Sequence, residues 1–143
     1  MAHKYLFNIA SLILMLAVQP TLAEEDSRQK VKLPEMMQQH MMANMRDHLL
    51  TVHEIQSALA KGEPDKAADI AEQRLGMSSL VSHNAAHMAP YMPKGMQDIG
   101  TEMHHAASRF ALVAKEGDTL RALDNLSKVT QQCIACHASY RIH

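Results

Sequence analysis

The pentapeptide Cys133-Ile134-Ala135-Cys136-His137, close to the C-terminus, limits what this chain can fold into more than any other stretch. On an α-helix, residues three and four apart share a face, so Cys133, Cys136 and His137 project together. Covalent haem attachment needs that arrangement: two thiols to form thioethers with the vinyl groups, and an imidazole beside them for the iron. The spacing C-x-x-C-H is the signature of such attachment. Other uses of two cysteines fit less well. A structural zinc site wants four ligands at set spacings, and the chain has no third cysteine. A thioredoxin-like pair wants alternating strands and helices around it, which the sequence lacks. A simple disulfide remains as the bland alternative. The expected cofactor is therefore one covalent haem c.

The N-terminus supplies the compartment. His3 and Lys4 form a short basic start, Leu6 to Val18 an apolar run, and Gln19-Pro20 a break before Thr21-Leu22-Ala23. This is the pattern of an export signal, read here as residues 1–23 with cleavage after Ala23. The apolar run is too short for a stable membrane anchor. The working domain is then 24–143, located in the periplasm, where thioether attachment takes place in bacteria.

Composition narrows the function classes. The formal charge is −1 with no basic stripe, which argues against a nucleic-acid partner and gives no strong steering toward a redox partner. There is no Trp and only two Phe and three Tyr. A core this poor in aromatic rings gains volume from a large apolar macrocycle. No nucleophile–base pair, phosphate loop or acid cluster points to an enzyme.

Along the chain, helix punctuation dominates and no strand signal stands out. Residues 24–32 are charged and aperiodic, a frayed start. Pro34 suits a first helical turn. Met41, Met45, His48, Val52, Ile55 and Leu59 then recur every three or four residues, and Gly62 offers a C-terminal cap, giving helix one over 34–61. Glu63-Pro64-Asp65 opens helix two, whose small face (Ala68, Ala71) leads to Leu75 and an end at Leu80, with Gly76 as a weak point. Ser82 to Gly95, with Pro90 and Pro93, reads as a long connection. Ile99, Met103, Ala106, Phe110 and Val113 set helix three, ended by Gly117. Asp118 caps helix four, where Leu123, Leu126, Thr130, Cys133 and His137 are expected on one face. The expected fold class is all-α: an antiparallel four-helix bundle with haem attached to the C-terminal helix.

The ending Cys133-x-x-Cys136-His137-x-x-Tyr140-Arg141, in the last of four helices, resembles that of the class II c-type cytochromes, cytochrome c-prime and its low-spin relatives. The resemblance covers essentially the whole of 24–143. It implies an up-down-up-down bundle, His137 as the proximal iron ligand, and a distal face lined by helix one. In the low-spin relatives a methionine from that region closes the sixth position; in cytochrome c-prime an apolar residue leaves it open. Counting back from the end of helix one, Met45 falls closest to the family's distal position, with Met41, Met42 and His48 as alternatives. Arg46 and Arg141 are candidates for contacts to the haem propionates, since guanidinium pairs with carboxylate in bidentate fashion.

The expected function is single-electron transfer by a monohaem cytochrome with an unidentified periplasmic partner. The alternatives are a five-coordinate cytochrome c-prime that binds NO or CO, and an envelope copper-binding protein. The copper reading rests on the ten methionines and nine histidines that follow the export signal, with His83, His87 and Met88 in the long connection as its best-placed group. The small-residue face of helix two also permits a homodimer.

Overall fold

The computed structural model describes residues 25–143, so the export signal expected at 1–23 lies outside the described residues. The chain is all-α. Helix α1 spans Glu35–Ala60, α2 Pro64–Arg74, α3 Ala85–Met88, α4 Lys94–Ala114 and α5 Thr119–Ser139. Among the described residues no helix is long and apolar enough to cross a membrane.

Local chemistry explains most of the boundaries. Pro34 precedes α1 with extended backbone, and Glu35 places a carboxylate in the first turn, where the helix dipole favours it. At the other end Gly62 adopts φ +70°, its N–H donates to the Leu59 carbonyl, and the Glu63 N–H donates to Ala58 at 2.9 Å. That pair of bonds is a Schellman cap, satisfying carbonyls the helix leaves open. Gly117, at φ +80°, ends α4 in a related way. The Asp118 carboxylate then accepts from the Leu120 and Arg121 N–H groups at 3.0 and 3.1 Å, starting α5.

Helix α2 is shorter than its sequence suggests. It stops at Arg74 rather than Leu80, and a 3-10 turn follows over Met77–Ser79. At Gly76 the chain folds back so tightly that an added Cβ would lie 2.8 Å from the Glu72 Cα. Side chains then take the amides that a longer helix would have used. The Met77 N–H donates to Ser108 Oγ on α4 at 2.9 Å, and the Ser78 N–H to Glu72 Oε1 at 3.1 Å.

The connection before α4 is ordered by bonds to its neighbours. It contains α3 and a second 3-10 turn, Ala89–Tyr91. Gln97 on α4 donates to the Ala89 and Met92 carbonyls at 3.0 and 2.9 Å. From the α1 side, His40 Nε2 lies 3.0 Å from the His83 carbonyl.

The expected frayed start is also corrected. Gln29–Lys30 (β1) pairs in parallel with Tyr140–Arg141 (β2), and the Val31 N–H donates to the Arg141 carbonyl at 2.8 Å. Val31 and Leu33 are buried beyond it. Two-residue strands carry no periodicity, and this pair forms only because α5 delivers the C-terminus to that spot.

Side chains sort into two apolar clusters. The larger joins α1, α2, α4 and α5 through Ile55, Leu59, Leu75, Leu126, Val129 and many alanines, around fully buried Phe110. The smaller holds Val31, Leu33, Met37, Met88 and Met96, with Met41, Met92, Cys136, Tyr140 and Ile142 against it. The closely packed helix pairs are α4 with α5, α1 with α2, and α2 with α4; α1 and α5 are not such a pair. Arg74 pins α2 to α1 through ion pairs with Asp47 and Glu54. The guanidinium in turn holds the Asp47 carboxyl below its ordinary value.

Phe110 is the only large ring in the main cluster. Phe110→Ala is expected to cost about 3–5 kcal/mol. Leu112→Ala, at a side chain 72 % exposed, should change stability by less than about 0.5 kcal/mol. Urea denaturation of the two variants checks the contrast.

Candidate functional site

Helix α5 carries Cys133 and Cys136 as the last two steps of its inward face. That face runs Ala122, Leu126, Val129, Cys133, Cys136, at spacings of four, three, four and three. The stripe differs from the expected one. Leu123 is 43 % exposed and His137 is exposed, because α5 is turned so that Ala122 and Val129 face α4. Leu126 and the cysteines are common to both readings. Cys133 packs on the main cluster and Cys136 on the methionine-rich one, so the two thiols straddle the seam between them.

Both cysteines are free and half-buried. Burial pushes both thiols up from their ordinary value, and Cys133 adds to the rise at Cys136. A dithiol redox pair needs the opposite, a thiolate held ready by a lowered pKa. These are protonated, apolar-facing thiols. His137 follows one residue on, and its carbonyl accepts from Arg28 Nη1 at 3.4 Å. Among the described residues, no three His, Cys, Asp or Glu side chains converge on a metal position.

The four candidates on α1 point to different surroundings. Met41 belongs to the apolar cluster that contains Cys136. Met45 is half-buried and belongs to neither cluster. Met42 lines an open groove with Glu35, Gln38, Gln39, Arg46 and His143. His48, on the same face of α1, has its ring centre 4.8 Å from that of His83. The sequence stripe alone did not separate these positions; the closing strand pair and the connection do, by filling space on either side of α1.

The two arginines are brought to the same neighbour. Arg46 shares the groove with His143, and Arg141 Nη1 donates to the His143 carbonyl. Arg141 Nε is buried without a hydrogen bond, although Asp26 Oδ2 stands 3.4 Å away. The Asp26 carboxylate is taken up by Arg28, whose hydrogen bonds hold it down at about 2. The Arg141 guanidinium is thus ion-paired with Asp26 beside Tyr140, which packs on the cluster that contains Cys136. Tyr140 itself is fixed by α4: a Cβ at Gly95 would meet its hydroxyl at 2.6 Å.

The group expected in the connection does not assemble. His83 faces His48, Met88 is buried in the methionine cluster, and His87 is exposed. The row that does form, His48–His83–His104, has no signature in the sequence, because its members come from three separate elements. No protein-family model, curated protein or solved structure matches the chain.

Burial holds His48 down at about 4, helped by the nearby His83 and His104, and lowers those two rings as well. The folded state therefore prefers neutral imidazole. Stability is complete above the unfolded value near 6.5 and is lost as pH falls from there toward 4. Urea midpoints taken across that window should fall with pH, and His48→Gln should flatten the slope.

Proposed function

We propose that this chain is a periplasmic class II c-type cytochrome, a monohaem carrier of single electrons. On this reading residues 24–143 form an antiparallel four-helix bundle, with Cys133 and Cys136 holding the haem as thioethers on the last helix. His137 is the proximal ligand. The observation that carries the reading is the pair of free, half-buried thiols on the inward face of α5, directly before His137, with Met41 in the same apolar cluster as Cys136.

The residues present fit the group. Thioether formation adds each S–H across a vinyl double bond, so neutral thiols are the right starting state and no oxidant is consumed. Methionines are unbranched and adaptable, able to repack around a flat macrocycle where β-branched residues would resist. Arg141, which is paired with Asp26, and Arg46 in the adjoining groove are the guanidinium groups that would reach the propionates. Separation of α1 from α5 leaves the seam between them to side chains alone, which is where a planar group enters at least cost to helix packing.

Bound haem supplies a one-electron iron couple. The chain does the rest: it anchors the ring, keeps water from the thioether side, and sets the potential by the axial ligand and burial. For the distal side Met41 is the favoured ligand, because it is the α1 candidate that shares an apolar cluster with a haem-bearing cysteine. Met45, expected from the position count, has no such contact in either cluster. A thioether in an apolar pocket favours the reduced iron and raises the potential.

The optical spectrum tests the reading. Oxidised protein should show the near-infrared thioether-to-iron band, and reduced protein should ignore carbon monoxide. Met41→Ala should lose the band and bind carbon monoxide, whereas Met45→Ala keeps the wild-type behaviour. The reverse pattern would move ligation to Met45. A wild type that is high-spin and binds carbon monoxide would make this an open-site, gas-binding cytochrome instead, and absence of any haem spectrum would refute the proposal.

A further inference from the structure

A formal charge near zero conceals an uneven distribution. Among the described residues, the lysines and arginines outside any ion pair are Lys30, Lys32, Arg46 and Lys61. All but Lys61 stand at the end of the molecule that holds the cysteines. Arg46 lies in the groove beside His143, where the cytochrome reading sends it toward a propionate. Lys30 and Lys32 have no such task, and both are exposed.

Local structure lines these cations up. Exposure alternates along the segment: Val31 and Leu33 are 3 % and 6 % exposed and enter the cluster that contains Cys136, so Lys30 and Lys32 point to solvent. Lys30 is the register partner of Arg141, and register partners leave a sheet on the same side. Arg28 stands two residues before Lys30, with its Nη1 on the His137 carbonyl at 3.4 Å. This row of four shares one carboxylate, Asp26, which Arg28 Nη2 holds at 2.7 Å and Arg141 Nε approaches at 3.4 Å. Glu25 and Glu35 are the other acidic side chains of residues 25–35. They flank the row in sequence, and Glu35 already accepts from Gln39 at 3.4 Å.

We propose that the outward face of Arg28, Lys30, Lys32 and Arg141 docks an acidic surface on the protein that exchanges electrons with this chain. The inference rests on the cytochrome reading, which puts a haem on Cys136. Electron exchange needs the partner close to the ring, and residues 30–33 pass from the Cys136 cluster to solvent within one residue. His137, Ala138 and Ser139 beside them are exposed as well. Ammonium groups outside ion pairs steer an anionic surface inward and lose that pull as salt rises. A membrane surface fits less well. Attachment there combines charge with exposed apolar side chains, and the apolar members of this segment, Val31 and Leu33, are buried.

The test uses the haem-loaded protein and two small oxidants of opposite charge, hexacyanoferrate(III) and tris(bipyridine)cobalt(III). In each reaction one electron leaves the ferrous haem and reduces the metal of the probe from the III to the II state. At low salt, Lys30→Glu with Lys32→Glu should slow the anionic probe roughly three- to tenfold and speed the cationic one, and high salt should erase both effects. Lys61→Glu with Lys66→Glu makes the same charge change around the far end of α1, about 30 Å from Met41, and should leave both rates unchanged. A decaglutamate peptide gives a readout that needs no electron transfer: the amide resonances of Val31 and Arg141 should shift in wild type and stay in place in the Lys30, Lys32 double variant. Rates blind to probe charge in a protein with a normal haem spectrum, or peptide shifts scattered over the molecule, would overturn the surface alone. Absence of a haem spectrum would overturn it together with the cytochrome reading. Binding to phosphatidylglycerol vesicles without binding to the peptide would make this a membrane patch and overturn it too.

Discussion

Close approach of helices on alanine governs the rest of this structure. Ala67, Ala68 and Ala71 of α2 meet Ala106, Ala107, Ala111 and Ala114 of α4, all in one buried cluster, and Ala122 of α5 joins them. Small side chains let backbones come near, but they supply little volume, and the cluster holds a single aromatic ring, Phe110. That economy works only over the half of the molecule where α2, α4 and α5 run together. Past the end of α2, α1 and α5 have to be bridged by something longer than alanine. Methionine fills that role, from Met37 and Met41 on one side to Met88, Met92 and Met96 on the other.

Two apolar regions of different texture result, one tight and one adaptable, and α5 crosses both. Its inward face passes from Leu126 and Val129 to Cys133 in the first region and Cys136 in the second. The two thiols therefore sit where packing changes from alanine-rich to methionine-rich. The haem attachment proposed for these thiols would gain from this: they are held by a long helix, while the methionines opposite can repack. The terminal strand pair closes the same end, bringing Arg141 and Asp26 beside Tyr140.

Much of this was legible in the sequence where a single residue does the work. Gly62, Gly117 and Asp118 act through backbone geometry or one capping bond, so their positions fix the helix ends they mark. The stop of α2 at Arg74 was not legible, because Gly76 turns the chain only with help from Ser108 of α4 and from Glu72. The phase of α5 differs from the expected stripe by about a sixth of a turn: Leu123 is the more apolar residue, yet Ala122 is the one that is buried. Likewise Met41 and Met45 occupy the same stripe, and only tertiary neighbours distinguish them. The histidine row depends wholly on such neighbours.

The central claim is that Cys133 and Cys136 hold a haem covalently in an exported chain. Intact-mass measurement on denatured protein, recovered from the periplasm of a host able to attach haem c, addresses it directly. The account predicts one species, with the mass of residues 24–143 plus one haem, and loss of that increment in Cys133→Ser with Cys136→Ser. A periplasmic protein with two unmodified thiols, or with a disulfide two protons lighter and no haem, would contradict it.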